Sequence, residues 1–432
     1  MSGKIFCGII KFCAFLNNIL KFVMKIVQIH NYYQKAGGED SVVTAERNML
    51  EAAGHEVIPY YKNNDGIVGA WQLIVSSLKT LWNYKAYSEF RQLLKNHRPD
   101  VVHCHNTFPL ISPAIYWACE KEGVPVVQTL HNYRLLCLNS QFFRYNKQNE
   151  AEICEKCHKR AFKFPGIKYR CYRGSMSGSA VVASMLFLHR LLGTWKNKVS
   201  AYIALTEFQK QKMSEGGLPA DRIFVKPNFV RSETEKEPIE CYIPQSPYAL
   251  FVGRLSPEKG CTVLLQAWKS FLESYDVTQN VFMPELLVVG DGPDKESLEQ
   301  WSENHQLNQI RFTGKLPRNQ VQALMKRAEF LILPSLWYEG FPMTIVEAFS
   351  CGTPVLASNL GGMKGIIEEG VTGRKFTVGD ARELAERINT MFNSEELVAM
   401  RAAVHNEFER DYSESFNLNL LLDIYKKAGC VS

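Results

Sequence analysis

Glu339 to Glu347 reads EGFPMTIVE; the apolar run Phe330–Leu336 precedes it and AFSCGTPVLASNLGG follows, ending at Gly362. The apolar run predicts a buried strand. The Gly-Phe-Pro turn then predicts a short helix beginning at Pro342, whose missing N–H costs nothing at a first helical position. Such a start leaves the N–H groups of Met343 and Thr344 free to receive an anion. Glu339 precedes the helix and Glu347 lies one turn inside it. Carboxylates on both sides of an anion hole suit a ligand with hydroxyls on either side of a diphosphate, which is the shape of a nucleotide-sugar.

Upstream, Phe251–Gly260 reads FVGRLSPEKG. Arg254 leaves the end of a predicted strand and can fork onto phosphate oxygens. Lys259 follows, and Gly260 lets the backbone turn into a helix. Both cations suit the negative charge left on a nucleotide when its bond to a sugar breaks in a water-poor site. An ordinary surface pair is the bland reading of two such cations, and the EGFPMTIVE segment beyond them argues against it. Paired carboxylates also serve glycosidases. Nothing in these segments positions a hydrolytic water, and the basic residues favour a diphosphate leaving group.

Further segments match in order: HNYYQKAGGED (His30–Asp40), TLHNYR (Thr129–Arg134), LLVVGDGP (Leu286–Pro293), GKLP (Gly314–Pro317) and the pair Gly361-Gly362. Together, from about Met24 to the end, they resemble the retaining GT-B glycosyltransferases of family 4. The resemblance implies an α/β protein with the GT-B fold, two Rossmann-like domains facing each other across a cleft. It implies donor contacts from Gly37, Gly38, Gly253, Arg254, Lys259, Glu339, Gly340, Phe341, Met343, Thr344 and Glu347. Glu347 would hold the ribose hydroxyls and Glu339 the donor sugar. His131 would lie beside the reacting sugar, giving a catalytic set of His131, Glu339, Arg254 and Lys259; a hydrogen-bonded structural histidine is the alternative for His131. Gly37-Gly38 permits close backbone approach to phosphate, and Glu39 and Asp40 suit the start of a helix. Retention of configuration comes from the resemblance alone.

The subgroup is similar to enzymes that build capsule, O-antigen or exopolysaccharide repeat units. Its implied partners are a UDP- or GDP-sugar donor and a glycan or lipid-linked oligosaccharide acceptor. The implied location is cytoplasmic, peripheral on the inner face of the cytoplasmic membrane. Two rivals of other classes stand beside this reading: a nucleotide-sugar epimerase on the same fold, and a catalytically silent sugar-binding subunit. The intact set Arg254, Lys259, Glu339 and Glu347 argues against silence.

A chain of 432 residues exceeds one ordinary core. Apolar strands at Lys25–His30, Val101–His105, Val124–Leu130, Tyr202–Leu205 and Ile223–Lys226 alternate with helical patterns, which predicts a parallel sheet covered on both faces. The scheme repeats at Ala249–Val252, Leu286–Val289, Arg311–Thr313, Phe330–Leu333 and Pro354–Ala357. The polar, proline-bearing stretch between them reads as a linker. The expected division is an extension over 1–23, a first domain over 24–227, a linker over 228–245, a donor domain over 246–410 and a last segment, 411–432, packing back on the first domain. Open parallel sheets bind ligands beyond the carboxyl ends of their strands, where His30, His105, His131, Thr206, Gly253, Gly290 and Ser335 fall.

The formal charge of +6 is too mild to suggest a nucleic-acid partner. No uninterrupted apolar run reaches 18 residues, so no membrane span is expected. The first 23 residues place Lys4, Lys11, Asn18 and Lys25 seven apart, as on one face of an interfacial helix; the alternative is a start at Met24. The stretch Trp71–His97 mixes Trp71, Leu78, Leu81, Trp82, Tyr84 and Tyr87 with Lys79, Lys85, Arg91, Lys95 and His97. It reads as a membrane-facing surface or as an ordinary packed helix.

Twelve cysteines in a chain of this size do not suggest a disulfide scaffold. Cys154-x2-Cys157, with Cys137 before and Cys171 after, supplies the thiolates of a structural metal site within an insertion over 137–171 that lacks a core pattern. A structural Zn2+ is expected there, with an iron–sulfur centre or four unrelated thiols as alternatives and His158 as a substitute ligand. His103 and His105 share one strand face by alternation, for which a structural or acceptor-side role is expected. Catalysis itself is expected to need no cofactor and no divalent cation, because no Asp-x-Asp segment accompanies the donor motifs.

Overall fold

A computed structural model of the protein describes residues 23–32, 38–63, 79–146, 151–231, 242–275 and 282–430. Residues 1–22, Gly37, Trp71, Leu78 and linker positions 232–241 lie outside the described residues.

Two six-stranded sheets organise the chain. The first has strands β1 (Lys25–Tyr32), β2 (Glu56–Asn63), β3 (Val101–Cys104), β4 (Val126–Leu130), β7 (Ala201–Ala204) and β8 (Ile223–Val225), in the order β2-β1-β3-β4-β7-β8. The second has β9 (Tyr248–Val252), β10 (Glu285–Val289), β11 (Ile310–Gly314), β12 (Phe330–Leu333), β13 (Val355–Ser358) and β14 (Gly373–Phe376), in the order β11-β10-β9-β12-β13-β14. Its pairings are all parallel. A hairpin of β5 (Phe143–Tyr145) and β6 (Ala151–Ile153) lies in the cysteine-rich segment.

The strands that the apolar pattern predicts are present to within about two residues. Within the two large sheets, the two it does not predict, β2 and β14, are both edge strands; the β5–β6 hairpin is also unpredicted. β2 carries Pro59 opposite Gln28, and an edge is where a strand tolerates a proline and needs no continuous apolar run.

The chain divides into two compact units: Met1–Gln128 with Asn197–Ala201 and Ile424–Ser432, and Thr129–Lys196 with Tyr202–Asp423. In the first unit, the helix Gly38–Ala52 buries Val42, Val43, Glu46, Met49 and Leu50. That spacing is one helical face, with a carboxylate in its middle. In the second unit, alternate residues of each strand feed different cores. Phe251, Val288 and Ile332 join one cluster, and Leu250, Leu287 and Leu331 the other. A sheet buried on both faces needs such near-continuous apolar strands. The last helix, Glu414–Lys427, begins in the second unit, where Asn417 Nδ2 donates to Pro227 O at 2.7 Å and Lys226 Nζ donates to Asn417 Oδ1 at 2.6 Å.

Strand order reverses at β9/β12 in the second sheet and at β1/β3 in the first. Loops beyond such neighbours diverge to opposite faces and open a crevice at the carboxyl edge. Lys259 follows β9 and Glu339 follows β12, so the second reversal carries the two residues singled out in the sequence.

Candidate active site

Lys259 ends a short helical turn, Pro257–Lys259. The next residue, Gly260, has φ +71°, and a Cβ there would stand 2.0 Å from Pro334 O. Only glycine lets the β9 loop lie this close to the β12 loop. Leu336 N–H donates to Glu258 O at 2.8 Å and fastens the same two loops. Lys259 Nζ then donates to Glu339 Oε1 at 2.7 Å, and Ser335 Oγ donates to the same oxygen at 2.7 Å. Glu339 is buried, its side chain 6% exposed against 19% for Lys259. Glu339 Oε2 takes no protein partner among the described residues.

The β4 loop meets the same place. A Cβ on Gly340 would lie 2.6 Å from His131 O, so the glycine permits backbone contact between the two loops. Tyr133, buried, directs its hydroxyl to Glu339 O at 3.5 Å. The His131 backbone thus lies against Gly340, the residue after Glu339.

Arg254 is exposed, with no side-chain partner among the described residues, and Gly253 is half-buried at the end of β9. Phe341 is half-buried, its ring 6.5 Å from Tyr412. The helix runs Met343–Ser350 with Pro342 as its N-cap, not its first residue. Consequently one expected free donor is taken: Met343 N–H donates to Phe341 O at 3.0 Å. Thr344 N–H has no acceptor among the described residues, and it alone of the two keeps the expected anion-facing role. Burial raises the Glu347 carboxyl above the usual range, partly offset by the Arg318 charge. Gly38 opens the helix Gly38–Ala52 in the first unit, with nothing within 4 Å of a Cβ built on it. A cavity of about 1060 Å³ shares Phe341 with this loop and is also lined by Thr206, Lys364 and the pair Gly361-Gly362. It takes in none of Arg254, Lys259, Glu339 and Glu347.

Three supports of the site were not singled out in the sequence. Tyr338 donates its hydroxyl to Glu155 Oε1 at 2.9 Å, and Lys212 Nζ donates to the same oxygen at 2.8 Å. The Tyr338 ring packs on Phe208 and Phe142, centroids 4.7 and 6.1 Å away. Glu155 lies inside Cys154-x2-Cys157, so the cysteine-rich insertion is tied to the residue before Glu339. The one available signal was a carboxylate within the CxxC.

Two family models match the chain, "Glycosyl transferases group 1" over residues 234–406 and "Glycosyltransferase Family 4" over residues 26–168. The chain belongs to the family 4 glycosyltransferases. A phosphatidyl-myo-inositol mannosyltransferase of Mycobacterium leprae is 28% identical over 239 residues, 55% of this chain. The match spans 61% of that relative's own length. Among solved structures, the lipopolysaccharide outer core galactosyltransferase WaaB is 20% identical with a TM-score of 0.62, covering 93% of this chain and 99% of that one. HepE of Anabaena, in complex with UDP and glucose, is 17% identical with a TM-score of 0.59, covering 93% and 100%. These likenesses establish the fold of the family 4 chain as two parallel-sheet α/β domains of the GT-B kind.

Two further clusters of this family 4 chain belong to the sequence reading. Cys137, Cys154, Cys157 and Cys171 all line one small void of about 10 Å³. His158, the substitute ligand, does not line it; His158 Nε2 donates to Lys212 O at 2.8 Å. In the first unit, His103 Nδ1 and His105 Nε2 lie 3.0 and 3.2 Å from Glu46 Oε1, and Tyr425 OH is 2.8 Å from His103 Nδ1. All four residues are buried. The two histidines do share a face, with ring centroids 4.3 Å apart.

On the aromatic stretch, the helix Tyr84–His97 buries Ala86, Phe90 and Leu94. Lys85 pairs with Glu89 and Arg91 with Glu122, while Tyr84 stands 73% exposed. Among the described residues no helix is long and apolar enough to cross a membrane.

Proposed function

We propose that this protein transfers a sugar from a nucleoside-diphosphate sugar to a growing glycan, with retention of configuration. The observation that carries the proposal is the Lys259–Glu339 pair at the β9/β12 reversal, with Ser335 on the same carboxylate oxygen. The donor diphosphate takes the exposed Arg254 and Lys259, and the Thr344 N–H adds the positive end of its helix. These groups meet the charge that grows on the leaving phosphate as the glycosidic bond breaks, and they are fixed before the reaction starts. Glu339 is held in place by Lys259 and Ser335 and offers Oε2 to a donor-sugar hydroxyl. Glu347 accepts from the ribose hydroxyls. His131, on the loop against Gly340, orients the reacting sugar. With cations and a helix start in these positions, the transfer needs no divalent cation.

A UDP-sugar fits the reading, since the structurally similar HepE binds UDP. The acceptor in this proposal is a lipid-linked oligosaccharide of a cell-surface polysaccharide. The protein would then work at the inner face of the cytoplasmic membrane. Nucleotide release from a panel of UDP- and GDP-sugars, with and without acceptor extract, tests it. Release that depends on acceptor, with sugar recovered in the glycan, is the expected result. Release of free sugar without acceptor would favour an epimerase, and no release with any donor would favour a silent subunit.

A further inference from the structure

The cysteine-rich insertion carries the strongest unabsorbed feature of the molecule. Four thiols from three separate stretches, at 137, at 154 and 157, and at 171, surround one void of about 10 Å³. That is about the room of one water-sized sphere. Leu138 and Phe143, both buried, line the void as well. The local structure is a three-residue hairpin, turns and a five-residue helix, Phe164–Lys168.

Two of the thiols have protein acceptors: Cys137 Sγ donates to Asn139 Oδ1 at 2.9 Å and Cys157 Sγ to Lys163 O at 3.9 Å. Both protons would be lost on binding a metal as thiolate.

Charge favours thiolates. Lys163 is buried, its ammonium donating to the carbonyls of Cys157, His158 and Arg160 at 2.8, 3.2 and 2.8 Å. No carboxylate pairs with it among the described residues. Arg144 lines the same void; its guanidinium pairs with Glu152, while its buried Nε has no hydrogen-bond partner. A buried cation needs a counter-charge. Four neutral thiols supply none, whereas four thiolates around a divalent ion carry two net negative charges.

We propose that Cys137, Cys154, Cys157 and Cys171 bind one zinc ion as a closed, structural tetrathiolate site. Binding breaks four S–H bonds and forms four Zn–S bonds, and the four protons leave to solvent. Among the described residues, three ligand atoms all within 4.8 Å of one another occur at Glu46, His103 and His105, so the four sulfurs stand at wider spacing around the void. Zinc–sulfur bonds of about 2.3 Å would draw them inward. The Glu46 group holds no thiolate, and His103 Nδ1 there already meets Tyr425 OH at 2.8 Å. A cube-shaped iron–sulfur cluster does not fit a void of this size.

The ion would brace more than the insertion. Glu155, between the second and third sulfurs, holds Tyr338, and Phe142 packs on both Tyr338 and Tyr133. Those two tyrosines flank Glu339, whatever reaction it serves.

The test uses the full chain, purified without chelator under reducing conditions. Elemental analysis should give about one zinc per chain. Titration with an organomercurial should release that zinc as four thiols are blocked. Cobalt replacing zinc should show intense sulfur-to-cobalt charge-transfer absorption with the bands of a tetrahedral site. Cys154→Ser with Cys157→Ser should lose the metal, and His103→Gln should keep it. Should the cysteine variant fail to fold, the mercurial and cobalt measurements on the unaltered protein decide alone. Folded protein free of zinc would overturn the proposal. So would iron with visible absorption, cobalt spectra without sulfur bands, or zinc lost on His103→Gln but kept without the cysteines. None of these readouts depends on glycosyl transfer.

Discussion

The two strand-order reversals use similar side chains to opposite ends. Beyond β9/β12, a buried carboxylate is held through one oxygen, and the cation that holds it reaches solvent. Beyond β1/β3, the Glu46 carboxylate is closed in by His103, His105 and, through His103, Tyr425, all buried. His30, at the end of β1, is closed likewise, with Nε2 2.8 Å from Asp40 Oδ1. Burial of a charge alone therefore does not mark the reacting place. The open site keeps an unpartnered oxygen, an exposed Arg254 and an unmatched Thr344 N–H. The closed cluster turns its charged and polar groups toward one another out of solvent, His103 and His105 at 3.0 and 3.2 Å from Glu46, which fits a role in holding the helix Gly38–Ala52 to its sheet.

The largest expected effect breaks the closed cluster. Glu46→Ala removes the buried carboxylate that two buried histidines face and leaves a void, which should cost about 4 kcal/mol of stability. Urea denaturation measures it. The Michaelis constant for the donor, taken below the unfolding range, should stay within about twofold, since this cluster is assigned to structure and any loss of donor affinity follows only from indirect strain.

The same cluster predicts an acid limit. Burial, with His103 and His30 nearby, pushes His105 down from its ordinary value to about 4, against the pull of Glu46. His30 is lowered too, again chiefly by burial. Between about pH 6.5 and 4 the unfolded chain therefore binds protons that the native state does not. Linkage then makes stability rise with pH in that window. The contribution is whole above pH 6.5 and is lost as the pH falls toward 4. Denaturation midpoints at pH 7, 6, 5 and 4.5 should fall step by step. Equal midpoints at pH 7 and 4.5 would contradict the closed, neutral reading of these histidines.

At the open site, on the proposed reaction, Lys259→Ala removes one charge from the leaving phosphate and from Glu339. About 3 kcal/mol of barrier is typical for such a loss, or roughly a hundredfold in kcat. The stability change should be smaller than for Glu46→Ala, because Ser335 still holds Glu339 and water can reach the site. A variant with wild-type kcat would remove Lys259 from the reaction, and one that unfolds would put this pair in the same class as Glu46.

How much of this was legible in the sequence depended on how locally each feature is encoded. The apolar strands and the EGFPMTIVE turn are short segments, and each declares itself from its own residues. The helix start was legible only to within one residue, so the fate of the Met343 N–H was misread. The edge strands β2 and β14 escaped because one open side removes the need for an apolar run, although β8 and β11, also at edges, keep enough of one to be read. The Lys259–Glu339 pair joins residues 80 apart; each was visible as a candidate, but their contact was not. Glu155 and Tyr338 are 183 apart and carry no pattern of their own. A hydroxyl meeting a carboxylate across that distance is a product of the fold.

That last contact yields the smallest and most discriminating prediction. Tyr338→Phe keeps the ring against Phe208 and Phe142 and removes only the hydroxyl. Glu155 retains Lys212, so no buried charge is stranded, and the loss should be about 1 kcal/mol. If the insertion positions the loop before Glu339, that loss should appear as a roughly fivefold change in kcat/KM for the donor, with the urea midpoint almost unmoved. Tyr338→Ala should do more, since it removes the packing as well. An unchanged kcat/KM with a lowered midpoint would instead make the Tyr338–Glu155 bond a fold contact like that of His103 and Tyr425, and would detach the cysteine-rich segment from the open site.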